Sequence, residues 1–484
     1  MILSIAMKNK DSTLRSASLL SHPAIYTDYY ELTMAQGYYL SGRQNETACF
    51  DYFFRDLPFE GGYAVFAGIG DVLQILEGFY FAEEELQYLA EQGFKDDFLD
   101  YLRNLELSVS ILAAKEGEIV FPITPLLRVE GPIIEAQILE TLLLNILNFE
   151  TLIATKAKRM KFAAGNRKVL DFGMRRAQGL GSLQASKAAI IGGVEATSNV
   201  HASFTHNIPA SGTMAHSWVQ SFESELDSFR AYAKHFPNET TLLVDTYSTL
   251  SSGLPNAITI AKELEETGHR LKGIRLDSGD LAYFSRKARN QLDKAGLEYV
   301  KIAASNQLDE HLIQSLLNQG APIDLFGVGT RLVTGNDTPA LDGVYKLAVV
   351  NDEPTLKISE NVEKITLPGR KRVNRYTDDS NMFLGDGILL DDEDDADSIY
   401  HKHYPHKYTN VSGFHTEPLL QPLLKDGTCV IDIPTAQESA GYASARFDQL
   451  NAEHKRFDHP HIYKVGISKK LMESRDKLTR KMKS

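Results

Sequence analysis

Four apolar runs, each closing on polar residues, recur between positions 240 and 331. "TTLLVDTYS" leads into Asp245, "LKGIRLDSG" into Asp277, "YVKIAASN" into Asn306 and "IDLFGVGTR" into Thr330. Between them lie "NAITIAKELEETG", "DLAYFSRKARNQLDKAG" and "LDEHLIQSLLNQG", each of helical character and each ending on a glycine, as helix C-caps often do. Short buried strands alternating with helices at this spacing form β/α units around a parallel sheet. Two earlier runs fit the scheme. "KVLDFGMRRA" predicts a strand ending at Asp171–Phe172, and "IPASGTMAHS" one ending just before His216. Residues from about 150 to 350 therefore read as an irregular β/α barrel.

In such barrels the active site lies at the C-terminal ends of the strands. The polar residues that fall there are Arg175, Arg176, His216, Asp245, Arg275, Asp277, Ser305, Asn306, Gly327, Gly329 and Thr330. One polar strand end means little, whereas six in succession point to a common pocket. His216 stands among small residues in "SGTMAHSW", directly before the only tryptophan, Trp218. Alone it reads as a core histidine with one bonded ring nitrogen; in this pocket it becomes a candidate for chemistry.

The other motifs each carry two readings. "RLDSGD" is a surface ion pair with an Asx-type helix start at Asp277 or Asp280, or else a carboxylate for a diol or metal beside an arginine for anionic oxygen. "FGVGTR" is a tight turn or a backbone cradle for phosphate after a late barrel strand. In "DFGMRRAQG", Arg175 and Arg176 cannot point the same way, so one can clamp an anion while the other is structural. "RKRVNR" at 370–375 puts four cations in six residues, either as a solvated loop or as an anion clamp.

The flanks differ from the barrel. "TACFDYFFRD" and "YAVFAGIG" are strand-like and "AEEELQYLAEQG" helical; "GVYKLAVVND" and "TLKISE" return to strands, "DDEDDAD" reads as a solvated loop, and the basic tail as a surface helix. "ILETLLLNILNFETLIA" carries Glu140, Asn145, Asn148 and Glu150, which marks a helix buried in protein rather than a membrane span. A net charge of -13 argues against a nucleic-acid partner. Cys49 and Cys429 form neither a disulfide framework nor a zinc pattern, and "MILSIAM" is too short for a signal peptide, so a reducing cytoplasm is expected. "HKHYPH" at 401–406 leaves metal binding open.

"TDYYELTMAQGYY", "GGYAVFAGI", "DFGMRRAQG", "ATSNV", "GTMAHSWVQSF", "RLDSGDL", "GVGTRLVT" and "LPGRKRVNR" together, in this order, closely resemble the nicotinate phosphoribosyltransferases, the bacterial-type members most loosely over the last hundred residues. The resemblance implies an α/β fold of type II phosphoribosyltransferase character. An N-terminal domain over 1–130 precedes a barrel over 131–345, and a segment over 346–484 completes the first domain and adds a small extension. It implies transfer of a phosphoribosyl group from phosphoribosyl pyrophosphate to nicotinate in NAD salvage, coupled to ATP hydrolysis with Mg²⁺, by a homodimer with shared active sites. By the same resemblance His216 is phosphorylated by ATP. Asp277 faces the ribose with Arg275 beside it, Ser305 binds substrate, and Gly327, Gly329 and Thr330 cradle the 5′-phosphate. Arg175 and Ser217 hold the nicotinate carboxylate, Phe172 and Tyr30 stack its ring, and Arg55 with Lys371 and Arg372 of the 370–375 cluster clamps pyrophosphate. Tyr30 and the clamp come from the partner subunit. Trp218 stands where many relatives carry phenylalanine.

Three rivals remain at this level. A nicotinamide- or quinolinate-using relative should differ at the "RRAQG" arginines or in its length. A silent phosphate-binding barrel would be free to lose His216, Arg275 and Asp277. An aldolase would want a lysine at a strand end, and the strand ends above hold none.

Overall fold

The computed structural model describes residues 21–361 and 364–483, so "MILSIAM" lies outside the described residues. The chain divides into two units, 153–339 and 1–152 with 340–484.

The first unit holds six parallel strands: β1 (Lys168–Asp171), β2 (Ala196–Thr197), β3 (Thr241–Leu243), β4 (Gly273–Leu276), β5 (Lys301–Ser305) and β6 (Leu325–Val328). They pair in the order β2-β1-β6-β5-β4-β3. This is the cyclic order of a barrel with the ladder open between β2 and β3, a half-barrel rather than the closed ring. The expected strand before His216 accounts for the opening: residues 208–215 make a single bridge, Ala210 to Thr197, and no ladder. Pro209 and Gly212 interrupt the run, since Pro cannot donate to a ladder and Gly weakens a strand interior.

Helices follow the strands: α1 (Gly181–Ile191), α2 (Val200–His206), α3 (His216–Gln220), α4 (Glu225–His235), α5 (Leu254–Glu266), α6 (Leu281–Lys294), α7 (Glu310–Asn318) and the short α8 (Thr330–Val333), of which the sequence predicts α5, α6 and α7. α5, α6 and α7 each run out into a glycine in the left-handed region: Gly268, Gly296 and Gly320 at φ of +78°, +74° and +71°. Their buried residues, such as Ile260, Ala288 and Ile313, face the sheet side, while charged residues keep the other face wet.

The second unit is built on two large sheets, beside a two-stranded one of Ala64–Val65 with Ile119–Val120. In the seven-stranded one, Thr47–Phe54 pairs antiparallel with both Leu127–Pro132 and Gly343–Val350, so chain from both ends shares one core. The six-stranded one is centred on Lys371–Thr377 and Phe383–Leu390. The unit boundaries fall after Leu152 and before Ala340, not at 130/131 and 345/346. The reason is packing: Leu142, Leu143, Ile146 and Leu147 of the helix Glu140–Ala164 join the core of the two-sheet unit. The stretch Ile133–Ala164 is long and apolar enough to cross a membrane, but 67% of its most apolar window is buried inside the protein. "TLKISE" is irregular beyond the two-residue strand Glu353–Pro354, and "DDEDDAD" is a loop that is only partly solvated: Asp391, Asp392 and Asp395 hold Arg128, Lys470 and Arg372.

Candidate active site

The half-barrel brings its polar strand ends together. On β4, Arg275 lies over a connected cluster. Its Nε donates to Ser305 Oγ (2.8 Å), one terminal nitrogen to Thr213 Oγ1 (3.0 Å) and the other to Asp277 Oδ1 (3.0 Å). Ser305 Oγ also donates to Asp277 Oδ1. Burial acts to raise the Asp277 carboxyl, but the Ser305 hydroxyl, Arg275 and His216 outweigh it and hold it below its ordinary value. The group is a carboxylate at any physiological pH.

His216 opens α3 with 41% of its side chain exposed. Its Nδ1 is 3.1 Å from Thr246 Oγ1, while Nε2 faces two carboxylates, Asp277 Oδ2 at 3.6 Å and Asp245 Oδ1 at 4.0 Å. The Asp245 side chain is 1% exposed. Its Oδ2 accepts from the Asp277 backbone N–H (2.8 Å) and the Ser278 hydroxyl (2.7 Å), whereas its Oδ1 has no hydrogen bond. The imidazole is therefore oriented from both sides and open to solvent. Asp245 and Thr246 gain their place from the fold; only the polar close of "TTLLVDTYS" announced them.

Phe172 follows β1, with its ring against Gly327, where an added Cβ would fall 2.5 Å from the ring carbons, and 5.6 Å from the Arg275 guanidinium carbon. Gly327 is thus required by Phe172 itself, a different job from the expected cradle. Gly329 and Thr330 begin α8, whose first N–H groups have no intrahelical acceptor. Arg175 and Arg176 are exposed on the turn Met174–Arg176, without an ion pair among the described residues. Ser217 is exposed beside His216, and Trp218 packs on α4, donating to Ser228 O and touching Tyr232. Of the two aspartates in "RLDSGD", Asp280 caps α6 by accepting from Tyr283 N–H (2.9 Å), which leaves Asp277 for the site. A cavity of ≈ 760 Å³ along the concave side of the sheet is lined at this end by Phe172, Thr213, Arg275 and Ser305; Asp277 and His216 lie off its walls.

In the two-sheet unit the expected residues fare unequally. Tyr30 is 47% exposed, next to Glu31, a fully buried carboxyl that burial pushes up to about 7 although Gln137 donates to it at 2.5 Å. Arg55 is held loosely by Asp342 at 3.7 Å. The 370–375 cluster is mostly engaged. Lys371 is buried, its ammonium 2.7 Å from Asp51 and donating to Leu367 O and Gly369 O, so it cannot clamp an external anion. Arg375 is fully buried between Asp386 and Glu118, and Arg370 pairs with Glu130 and Asp352. Arg372 is half-buried against Asp395 and Asn374. The alternation of a strand turns Lys371 and Arg375 inward, a consequence invisible in the bare charge count.

Among the described residues no three His, Cys, Asp or Glu side chains gather as a metal set; in "HKHYPH", His401 Nδ1 accepts from the backbone of His403 and Tyr404.

A cation, carboxylates and an accessible imidazole at the strand ends of a parallel sheet make an enzyme site for an anionic substrate. Family models then place the chain more closely. The nicotinate phosphoribosyltransferase N-terminal domain matches residues 25–148, the family model residues 167–394 and the C-terminal domain residues 370–475. The nicotinate phosphoribosyltransferase of Bacillus subtilis (strain 168) is 44% identical over 474 residues, covering 95% of this chain and 96% of its own; that of Dictyostelium discoideum is 37% identical, covering 93% and 87%. The crystal structure of human nicotinic acid phosphoribosyltransferase, 32% identical, superposes with a TM-score of 0.81 over 93% of this chain and 99% of that one. A nicotinate-nucleotide pyrophosphorylase from Pyrococcus furiosus, 24% identical, shares the fold at a TM-score of 0.69 over 93% and 99%. The chain belongs to the nicotinate phosphoribosyltransferase family, and it is an enzyme of pyridine-nucleotide salvage.

Proposed function

We propose that the chain joins nicotinate to 5-phosphoribosyl 1-pyrophosphate, giving nicotinate mononucleotide and pyrophosphate, and couples this to ATP hydrolysis through a phosphate carried on His216. The observation that carries the reading is the exposed imidazole whose Nε2 faces Asp277 and Asp245 while Arg275 neutralises the same cluster. The nicotinate ring nitrogen attacks ribosyl C1, the C1–O bond breaks, and its electron pair leaves with pyrophosphate. C1 becomes cationic on the way, and the Asp277 carboxylate lies where it can hold the ribose hydroxyls. Arg175 takes the nicotinate carboxylate with Ser217, and the Phe172 ring takes the pyridine face. Gly329 and Thr330 offer N–H groups to the 5′-phosphate.

In the coupled reaction a ring nitrogen of His216 attacks the γ-phosphorus of ATP, the bond to ADP breaks, and water later releases phosphate from the histidine. Negative charge on His216 would draw the neighbouring cations and order the site for pyrophosphate. A magnesium ion takes carboxylate and phosphate oxygens; the unbonded Oδ1 of Asp245 and Oδ2 of Asp277 fit such an ion shared with a phosphorylated substrate. When bound, it would screen charge on the departing pyrophosphate. The chain works as a cytoplasmic homodimer, Tyr30 and Arg55 reaching the partner's site; Lys371 is left out of the clamp. Cys49 and Cys429, both free thiols, accord with a reducing compartment.

The test is product formation from nicotinate and phosphoribosyl pyrophosphate with and without ATP, together with labelling by γ-labelled ATP. Acid-labile, base-stable label should appear on the wild type and vanish in His216→Ala, along with ATP stimulation. Label persisting in the variant would place the phosphorylated group elsewhere. For the shared site, mixing inactive Tyr30→Ala and His216→Ala chains should restore part of the activity once subunits exchange.

A further inference from the structure

The segment "ATSNV" belongs to the family pattern, yet its polar residues reach no ligand in the scheme above. Thr197 and Asn199 are fully buried. They converge on Asp171, the last residue of β1, itself fully buried. Thr197 Oγ1 donates to Asp171 Oδ2 at 2.7 Å, and Ser186 Oγ from α1 donates to the same oxygen at 2.8 Å. Asp171 Oδ1 accepts the Gly173 N–H at 2.8 Å. Asn199 braces the donors: its backbone N–H reaches Thr197 Oγ1 (3.0 Å), its Nδ2 reaches Ser186 Oγ (3.3 Å) and Ser182 O (3.2 Å), and its Oδ1 caps α2.

A carboxylate is costly to bury, and a plain turn needs none. What this one controls comes next in the chain. The Phe172 N–H is bonded to Val328 O at 2.6 Å, and the Phe172 ring lies between Gly327 and Arg275. A Cβ at Gly173 would strike Val333, so the turn can close only as it does. Arg175 follows two residues later, on the turn that Gly173 starts.

We propose that Asp171 is a positioning residue for the pyridine pocket. Its carboxylate fixes the turn that carries Phe172 and Arg175, with Ser186, Thr197 and Asn199 holding the carboxylate in turn. The inference rests on the reading that Phe172 and Arg175 meet nicotinate. Asp171 touches no substrate; it acts through the two residues that do.

Steady-state KM values for nicotinate and for phosphoribosyl pyrophosphate test it. Asp171→Ala should raise the nicotinate KM about ten-fold or more while leaving the phosphoribosyl pyrophosphate KM within about two-fold. Asp171→Asn keeps an acceptor for Gly173 N–H and should recover most of the loss. Thr197→Val removes one donor without touching the carboxylate and should move the nicotinate KM the same way by a smaller factor; it decides the matter if Asp171→Ala does not fold. Equal rises in both KM values, or no recovery with asparagine, would reduce Asp171 to a structural residue. Arg175→Ala separates the two layers. If it raises the nicotinate KM and Thr197→Val does not, the positioning role falls alone. If it too leaves the nicotinate KM unchanged, the pocket assignment falls and takes the positioning role with it.

Discussion

Arg175 and Arg176 of the half-barrel and the four cations of 370–375 in the two-sheet unit are comparably dense in the sequence, and the fold treats them oppositely. The first pair lies on a turn after a parallel strand, exposed and without ion partners among the described residues. The second cluster forms a strand between two others, with Lys371 and Arg375 turned inward onto Asp51, Glu118 and Asp386. A cation at a strand end stays available to a ligand, whereas one within a central strand must find a carboxylate or stay out of the core. Charge density therefore does not mark an anion site; the place of the charge along its strand does.

The largest expected effect breaks the buried side of this contrast. Arg375→Met removes the cation that Glu118 and Asp386 share and leaves the buried Asp386 without its cation. The variant should lose about 3–5 kcal/mol of unfolding free energy in urea titrations. Arg446 also donates to Glu118, at 2.9 Å, and softens the loss. A loss below about 1 kcal/mol would mean that the network relaxes around its gap and that the inward cations are not structural.

Arg175→Ala tests the exposed side. Surface substitutions usually stay within about 0.5 kcal/mol of stability, so the fold should be unaffected. A lost charge-assisted pair to the nicotinate carboxylate should raise the nicotinate KM about ten-fold or more and leave weak use of nicotinamide unchanged. Equal losses for the two pyridines would assign Arg175 to the turn or to phosphate.

Glu31 sharpens the comparison from a third position, a buried carboxyl in the two-sheet unit. It takes a hydrogen bond from Gln137 and has Asp28 and Glu140 among its neighbours, with Lys346 3.7 Å from Glu140. Burial pushes it up to about 7, so the folded state binds a proton that the unfolded chain releases near its ordinary value of about 4.3. The sign follows: between those values the native state holds more protons, and stability falls as pH rises through the window, becoming flat above about 7. Glu31→Gln should flatten that slope between about pH 4.5 and 7 in denaturant titrations. An unchanged slope would mean that Glu31 is ionised in the folded protein.

These contrasts show what could be read before the fold was known. The strands, the helices after them and their glycine ends were legible because apolar runs and C-cap glycines are local signals. The convergence of Arg275, Asp277, Ser305 and His216 was legible through one rule of topology, that such sheets present function at their strand ends. What escaped depends on contacts between distant segments. Gly327 reads as part of a phosphate cradle, and only the Phe172 ring lying over it shows why no side chain fits there. Lys371 reads as a pyrophosphate ligand because nothing in "RKRVNR" tells which residues face Asp51. The strand expected before His216 rests on a short run, and a single bridge at Ala210 is all that forms.

The smallest predicted effect lies within one motif. "RLDSGD" supported both a helix start and a ligand carboxylate, and the structure divides the two readings between aspartates three residues apart. Asp280 spends its carboxylate on the Tyr283 N–H at the head of α6. Asp277 is tied by Arg275 and Ser305 and keeps Oδ2 toward His216. Asp280→Ala should therefore cost roughly 1 kcal/mol of stability, the usual worth of an N-cap, with both KM values near those of the wild type. Asp277→Asn should behave the other way. Its amide cannot accept from both Arg275 and Ser305 on one oxygen while presenting a charged oxygen to ribose, so turnover should fall steeply with little change in the denaturation midpoint. Paired denaturation and kinetic measurements on the two variants separate capping from catalysis. Kinetic damage in Asp280→Ala at unchanged stability would show that the helix start itself belongs to the site.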